Sequence, residues 1–165
     1  MARVVVVGGG WSGCAAALTA AKAGAEVVVL ERTDALLGTG LVGGIMRNNG
    51  RYTAAEEAIA LGGGDLFKVC DRMSRHRDIE FPGHKHASLY DVAKIEPAVR
   101  KAVIAAGIRI HFKTRATEVV AEGKTIKAIK AGTYKGDDQV IEGDVFVETT
   151  GTAGPQANCT KYGNG

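Results

Sequence analysis

Aromatic residues make up only 5% of this 165-residue chain, and proline and cysteine occur three times each. Each shortage excludes something. The cysteines, at positions 14, 70 and 159, are odd in number and widely spaced, so no disulfide framework is expected and a reducing compartment, the cytoplasm, is. No apolar run is long enough to span a bilayer, so no membrane partner is expected. The net charge is a mild +3 and no stripe of Lys or Arg forms, which argues against nucleic acid as a partner. Met1-Ala2-Arg3-Val4 enters a strand-like run directly and carries no signal-peptide pattern. The length suits one domain with one core, without internal repeats or low-complexity linkers. What the chain has in plenty is glycine, 23 residues, which suits an α/β domain whose turns are lined by backbone.

The glycines are most informative at the start. Val4–Val7 run into Gly8-Gly9-Gly10-Trp11-Ser12-Gly13, and an alanine-rich stretch follows. A buried strand, a Gly-x-Gly-x-x-Gly turn and a small-residue helix in that order form a cradle for a dinucleotide pyrophosphate. Gly8 permits the tight turn, Gly10 lets the ligand approach the backbone, and Gly13 lets the helix pack close to the strand. The unpaired N–H groups at the helix start lie at the positive end of its dipole and favour an anion. The helix is expected over Gly13–Ala23, with Gly24 past its end. Glu26–Glu31 reads as a second buried parallel strand. Glu31 ends it roughly 20 residues after the glycines, where a carboxylate reaches a ribose diol and repels a 2′-phosphate.

The remaining elements follow from pattern. Leu36–Gly44 is rich in glycine and threonine, and it either presses its backbone against something flat or extended or is a plain flexible loop. Thr53–Glu57 has capping-box chemistry and starts a short helix that Gly62–Gly64 ends. A helix is expected over Asp65–Arg77, a loop over Glu80–His86, and a long amphipathic helix over Asp91–Ala106 that Pro97 either kinks or delays. Arg109–Phe112 is a strand. Thr117–Ala121 and Thr125–Ala131 form an antiparallel pair, and Val140-Ile141 leads to a last strand, Val145–Glu148.

Other candidate chemistry is thinner. His84, Lys85 and His86, with His76 and Cys70, match no usual zinc spacing, so no metal is expected. Cys14 lies in the first helical turn, where a thiolate is stabilised, and also at a helix–sheet interface, where a small buried hydrophobe is the expectation. Arg47 and Asn48 follow the glycine loop and either face a ligand or belong to plain surface. Trp11 among the glycines either covers the pyrophosphate or packs on another domain.

These residues in this order resemble the FAD-dependent oxidoreductases of the two-dinucleotide-binding type, over nearly the whole chain. The resemblance implies FAD as cofactor and hydride or electron transfer through it, with no protein nucleophile or base required. It maps Gly8, Gly10, Ser12 and Gly13 onto the pyrophosphate turn, Glu31 onto the adenosine ribose ligand and Arg32 onto the basic residue that commonly follows. Gly38, Thr39, Gly40 and Gly43 fall in the second glycine segment, beside the ribityl chain and flavin. Ala116, in Arg115–Val119, falls where a strand backbone contacts adenine. Thr150 and Gly151 fall in the small-Thr-Gly turn near the pyrophosphate. Thr152 stands where the family often has an acid.

In that family a substrate domain and a late Gly-Asp turn on the ribityl chain follow the point reached by Gly165. The resemblance therefore implies an N-terminal fragment of a longer flavoprotein, or one piece of a split enzyme, completed by further domains or subunits. Its substrate is a small molecule or a redox partner, and Cys159 would be an iron–sulfur ligand only alongside cysteines beyond this sequence. The expected fold is α/β and Rossmann-like: a mainly parallel sheet with a β-meander crossover, the first strand central, and the helices Gly13–Ala23 and Asp91–Ala106 on its faces. Two other readings stay open, a small NAD-binding module and a non-catalytic scaffold subunit with an empty pocket. The long glycine-and-helix stretch after Glu31 favours FAD over NAD.

Overall fold

Four consecutive valines, Val4–Val7, are all buried, as befits a strand covered on both faces. They form β1 (Arg3–Val7), which a computed structural model describing residues 1–42, 44, 47–48, 59–81 and 84–151 places inside a parallel sheet. The chain continues through α1 (Trp11–Lys22), β2 (Glu26–Leu30), a 3-10 turn at Gly38–Gly40, β3 (Arg47–Asn48) and a π-helical turn at Ile59–Gly63. Next come α2 (Gly64–Arg72), β4 (Ser74–Phe81), β5 (His84–Tyr90) and α3 (Val92–Ala105). The last part is all strand: β6 (Arg109–His111), β7 (Thr114–Glu122), β8 (Thr125–Thr133), β9 (Asp138–Glu142) and β10 (Val145–Glu148).

The parallel sheet has the order β10-β1-β2-β6, with Val5 opposite both Val28 and Phe146, so the first strand is interior as expected. The meander β7-β8-β9 is antiparallel. Side-chain alternation divides the two faces of the sheet. Val4, Val6, Val27 and Val29 pack with Ala17 and Leu18 of α1 and Ile95, Val99 and Val103 of α3. Val5, Val7, Val28 and Leu30 pack with Val119, Ile129 and Ala131 of the meander. The expectation of helices on both faces is thereby corrected: α1 and α3 share one face, because the meander occupies the other.

Two boundaries differ from expectation. The helix expected over Asp65–Arg77 stops at Arg72, and the chain turns at Met73 into β4. The loop expected over Glu80–His86 belongs to the β4–β5 hairpin, which β3 joins at the β5 side. That hairpin is polar and irregular in register, so it lacks the apolar alternation by which strands are recognised. In α3, Pro97 does not delay the start. Asp91 caps the helix, its carboxylate accepting the Ala93 N–H at 3.1 Å, and the helix runs on through Pro97. The helix start expected at Thr53–Glu57 lies outside the described residues, as do Gly43, Thr152 and Cys159. Among the described residues no helix is long and apolar enough to cross a membrane.

Ile95, only 1% exposed, sits where α3 meets the sheet. Ile95→Ala is expected to cost about 2–5 kcal/mol through lost burial and a residual cavity. Urea denaturation will show this as a lower midpoint with an unchanged slope.

Candidate functional site

A cleft of about 780 Å³ opens beyond the carboxyl ends of β1, β2 and β10, where open α/β sheets bind their ligands. Three backbone segments build it. The first is the turn after β1. Gly8 has φ +107, and a Cβ there would lie 2.6 Å from the Thr149 carbonyl oxygen, so both conformation and the passing chain demand glycine. A Cβ on Gly13 would lie 1.9 Å from the Gly8 carbonyl oxygen, which is the close helix–strand approach the sequence suggested. Gly10 is different: a Cβ there would meet nothing within 4 Å and would project into free space beside the cleft wall.

Gly10 is also the N-cap of α1. No side chain caps the helix and no acid lies in its first turn. The first helical bond is Cys14 N–H to the Gly10 carbonyl at 2.9 Å, so the N–H groups of Trp11, Ser12 and Gly13 precede the intrahelical ladder. The result is an uncapped positive helix end beside a bare stretch of backbone, an arrangement that receives an anion.

The second segment runs from Glu31 to Thr39. Glu31 is only 5% exposed, yet both carboxylate oxygens are satisfied. Oε2 accepts the Gly9 N–H at 2.8 Å; Oε1 accepts the Thr33 N–H at 2.7 Å and lies 2.9 Å from the Thr33 hydroxyl. The turn after β1 is thus tied to the end of β2. Leu37 donates its N–H to the Gly9 carbonyl at 2.8 Å and is fully buried at φ +73, a left-handed conformation that costs a non-glycine residue about 1–3 kcal/mol. Gly38 follows so closely that a Cβ on it would lie 3.3 Å from the Gly10 Cα.

The third segment is the Thr149-Thr150-Gly151 turn. The Thr149 hydroxyl lies 2.9 and 2.8 Å from the carbonyl oxygens of Val7 and Gly8. Thr114–Thr117 of β7 close the remaining side.

Of the residues singled out in the sequence, Gly8, Gly10, Trp11, Ser12, Glu31, Arg32, Gly38, Thr39, Ala116, Thr150 and Gly151 all line this one cleft. Gly13 and Gly40 do not. Gly13 packs under the turn, and Gly40 lies beneath the indole of Trp11, whose Nε1 would be 1.6 Å from a Cβ on Gly40. The flat object expected against the glycine loop is therefore, at Gly40, a side chain of the protein itself. Trp11 also stacks obliquely on Tyr90, ring centroids 5.4 Å apart. Arg47 and Asn48 lie on β3, while their side chains and those of His84, Lys85 and His86 fall outside the described residues. Among the described residues no group of three or more His, Cys, Asp or Glu could hold a metal ion.

Thr33 is not singled out in the sequence, and Thr149 enters it only as the first residue of the Thr149-Thr150-Gly151 turn. Thr33 had a visible signal, a threonine two residues after the acid that ends a strand, placed to form a local side-chain turn. Cys14 resolves as a buried residue: its thiol donates to the Gly9 carbonyl at 3.3 Å, and burial pushes its pKa up to about 12. Burial likewise pushes Cys70 up to about 12.

A family model described as "FAD dependent oxidoreductase" matches residues 3–154. No curated protein matches the chain. Among solved structures, THI4 of Thermovibrio ammonificans is similar at a TM-score of 0.68 and 18% identity, over 97% of this chain and 62% of that one. A geranylgeranyl bacteriochlorophyll reductase-like protein of Thermoplasma acidophilum has a TM-score of 0.65 and 17% identity, over 90% of this chain and 38% of that one. Glycerol-3-phosphate dehydrogenase of Bacillus halodurans, solved in complex with FAD, has a TM-score of 0.61 and 13% identity, over 90% and 34%. The chain thus spans less than two thirds of the length of these structures, and at such identities the likeness establishes the fold.

Gly10→Ala is expected to change stability by no more than about 0.5 kcal/mol, the range for sites without a packing or backbone conflict. Gly13→Ala should lower the thermal midpoint by several degrees because it forces α1 off β1; circular dichroism melts compare the two. Alkylation of the native protein at pH 8 should leave Cys14 and Cys70 unmodified, whereas the unfolded chain reacts at both. Because both thiol pKa values are raised by folding, these thiols favour the folded state below about pH 9, and that contribution is lost as pH climbs toward about 12.

Proposed function

Because this chain belongs to the FAD dependent oxidoreductase family, we propose that its cleft holds the ADP half of FAD and that the protein it forms part of transfers hydride or electrons to or from a small molecule or a redox partner. One observation carries the reading: bare backbone at Gly10 meets the uncapped start of α1 in a cleft that a carboxylate also lines. The donor set suits the group. A diphosphate needs N–H donors and positive potential without competing carboxylates, and the first turn of α1 supplies both. An unphosphorylated ribose needs an acceptor for its diol. Glu31 keeps acceptor capacity for it, since about four lone-pair sites are present on a carboxylate and three protein donors surround this one. When bound, FAD supplies the redox chemistry itself, and the protein's task is placement and electrostatics.

The N–H groups of Trp11 and Ser12 donate to the diphosphate, and Gly10 allows the approach. Glu31 accepts from the ribose and disfavours a 2′-phosphate by repulsion. Gly38, Thr39 and the Thr150-Gly151 turn flank the diphosphate toward the ribityl side, and the backbone at Ala116 borders adenine. Arg32, exposed on the rim, adds positive potential. We further propose that residues 1–165 form one FAD-binding domain and that further segments or subunits complete the flavin side, a reading supported by the share of the THI4 length the chain spans. A cytoplasmic setting is supported by the unpaired, buried thiols of Cys14 and Cys70.

Gly10→Val is expected to raise the dissociation constant for FAD by at least tenfold while leaving the fold intact, as judged by flavin fluorescence titration beside circular dichroism. Glu31→Ala should weaken binding by about 1.5–3 kcal/mol, the range for hydrogen bonds to a charged group. A Gly10→Val protein that binds FAD as the parent does would show that the diphosphate lies elsewhere.

A further inference from the structure

The segment that carries Leu37 and Gly38 into the cleft is held from an unexpected side. Two of its anchors belong to the cleft walls: Thr33 on Glu31, and the Leu37 N–H on the Gly9 carbonyl. The other two come from α3, on the far side of the segment from the cleft. The Leu36 N–H donates to Glu96 Oε1 at 3.1 Å, although Leu36 and Glu96 are 60 residues apart. The same carboxylate oxygen accepts Arg100 Nε at 2.8 Å, one helical turn on. Arg100 then reaches out and donates through Nη2 to the Asp34 carbonyl at 2.6 Å. Its guanidinium also lies 4.3 Å from the centroid of the Phe112 ring, in the connection that leads from β6 into β7. Arg100 thereby touches both chain segments that flank the adenosine end of the cleft.

This is an uncommon use of an acid and a base four apart on a helix. Such pairs normally lie on solvated faces and contribute little. Here Glu96 is only 7% exposed, on the face of α3 that carries Ile95 and Val99. A buried carboxylate persists only when its acceptor sites are satisfied, and a backbone N–H of the cleft loop is one of its donors. The loop it holds contains the left-handed Leu37, a conformation that surrounding structure must impose. Arg suits the second role better than Lys, because its planar fork serves a carboxylate, a carbonyl and an aromatic face together.

The geometry points to Glu96 and Arg100 as positioning residues: together they clamp Asp34–Leu37 from α3, keep Leu37 and Gly38 against Gly9 and Gly10, and so set the width of the cleft for the diphosphate. This rests on the reading of the cleft as the FAD site. Neither residue lines the cleft, so both act through the loop.

Hydrogen exchange of the full chain without ligand, beside FAD titration by flavin fluorescence, tests the clamp. In Arg100→Ala the amides of Leu36 and Leu37 should exchange at least tenfold faster, those of Val5, Val6 and Val28 should be unchanged, and the FAD dissociation constant should rise about fivefold or more. Arg100→Lys, which keeps the charge and one donor, should recover part of both effects. Glu96→Gln, which keeps one acceptor for the Leu36 N–H, should be milder than Glu96→Ala and covers the case in which the alanine variant does not fold. Unaltered exchange at Leu36 and Leu37, or equal acceleration in β1 and β2, overturns the clamp even if FAD binds the parent chain. If the parent chain binds no FAD while exchange responds as expected, the clamp on the loop stands, and the cleft reading fails together with the assigned effect on the diphosphate.

Discussion

The buried carboxylate of Glu31 is the constraint on which the cleft depends. A carboxyl group in a nearly solvent-free position is costly unless donors surround it, and here they come from Gly9 on one side and Thr33 on the other. The bond to Gly9 fixes the turn after β1 relative to the end of β2. The bonds to Thr33 start the loop that returns Leu37 to the same turn. Backbone bonds extend the arrangement: the Glu31 N–H donates to the His111 carbonyl at 2.9 Å, and the Thr114 N–H donates to the Glu31 carbonyl at 3.0 Å. One residue therefore joins β1, β2 and the passage from β6 into β7, and the cleft walls are positioned relative to it.

Around that point the fold divides its work by face. Alternate residues along β1 and along β2 enter two separate apolar clusters, one under the helices and one under the meander. The parallel sheet is covered on both sides, which leaves its carboxyl ends as the place where backbone donors remain available. Gly8 and Gly13 serve this packing, since each would drive a Cβ into neighbouring backbone. Gly10 alone of the three motif glycines has free space before it. The motif thus separates into two residues that shape the scaffold and one that leaves room.

The legible part of the sequence was the part whose signals are local. The valine strand, the glycine turn, the alanine helix and the second strand occupy a single continuous run, and each supports the next. The meander was legible for the same reason, with apolar alternation on either side of a short turn. The β4–β5 hairpin was not. Arg75, His76 and Arg77 are exposed, so its strand pairing has no apolar pattern to announce it. The cleft residues of later segments, Ala116, Thr150 and Gly151, were reachable through family resemblance but not through spacing, because their nearness to Gly10 arises only on folding. Glu96 shows the limit most clearly. Sequence reading does not single it out, and its four-residue spacing from Arg100 says nothing of a carboxylate that turns inward to a loop 60 residues earlier.

The placement of Trp11 has a practical consequence. It is the only tryptophan in the chain, its ring is wedged between Gly40 and Tyr90, and it borders the cleft at the mouth of α1. Nature has in effect installed an optical gauge at the point of entry. Whatever settles beside α1 will alter the polarity around a lone indole, and an isoalloxazine nearby would drain its excited state by resonance transfer, so the intrinsic emission of the unlabelled chain reports occupancy directly.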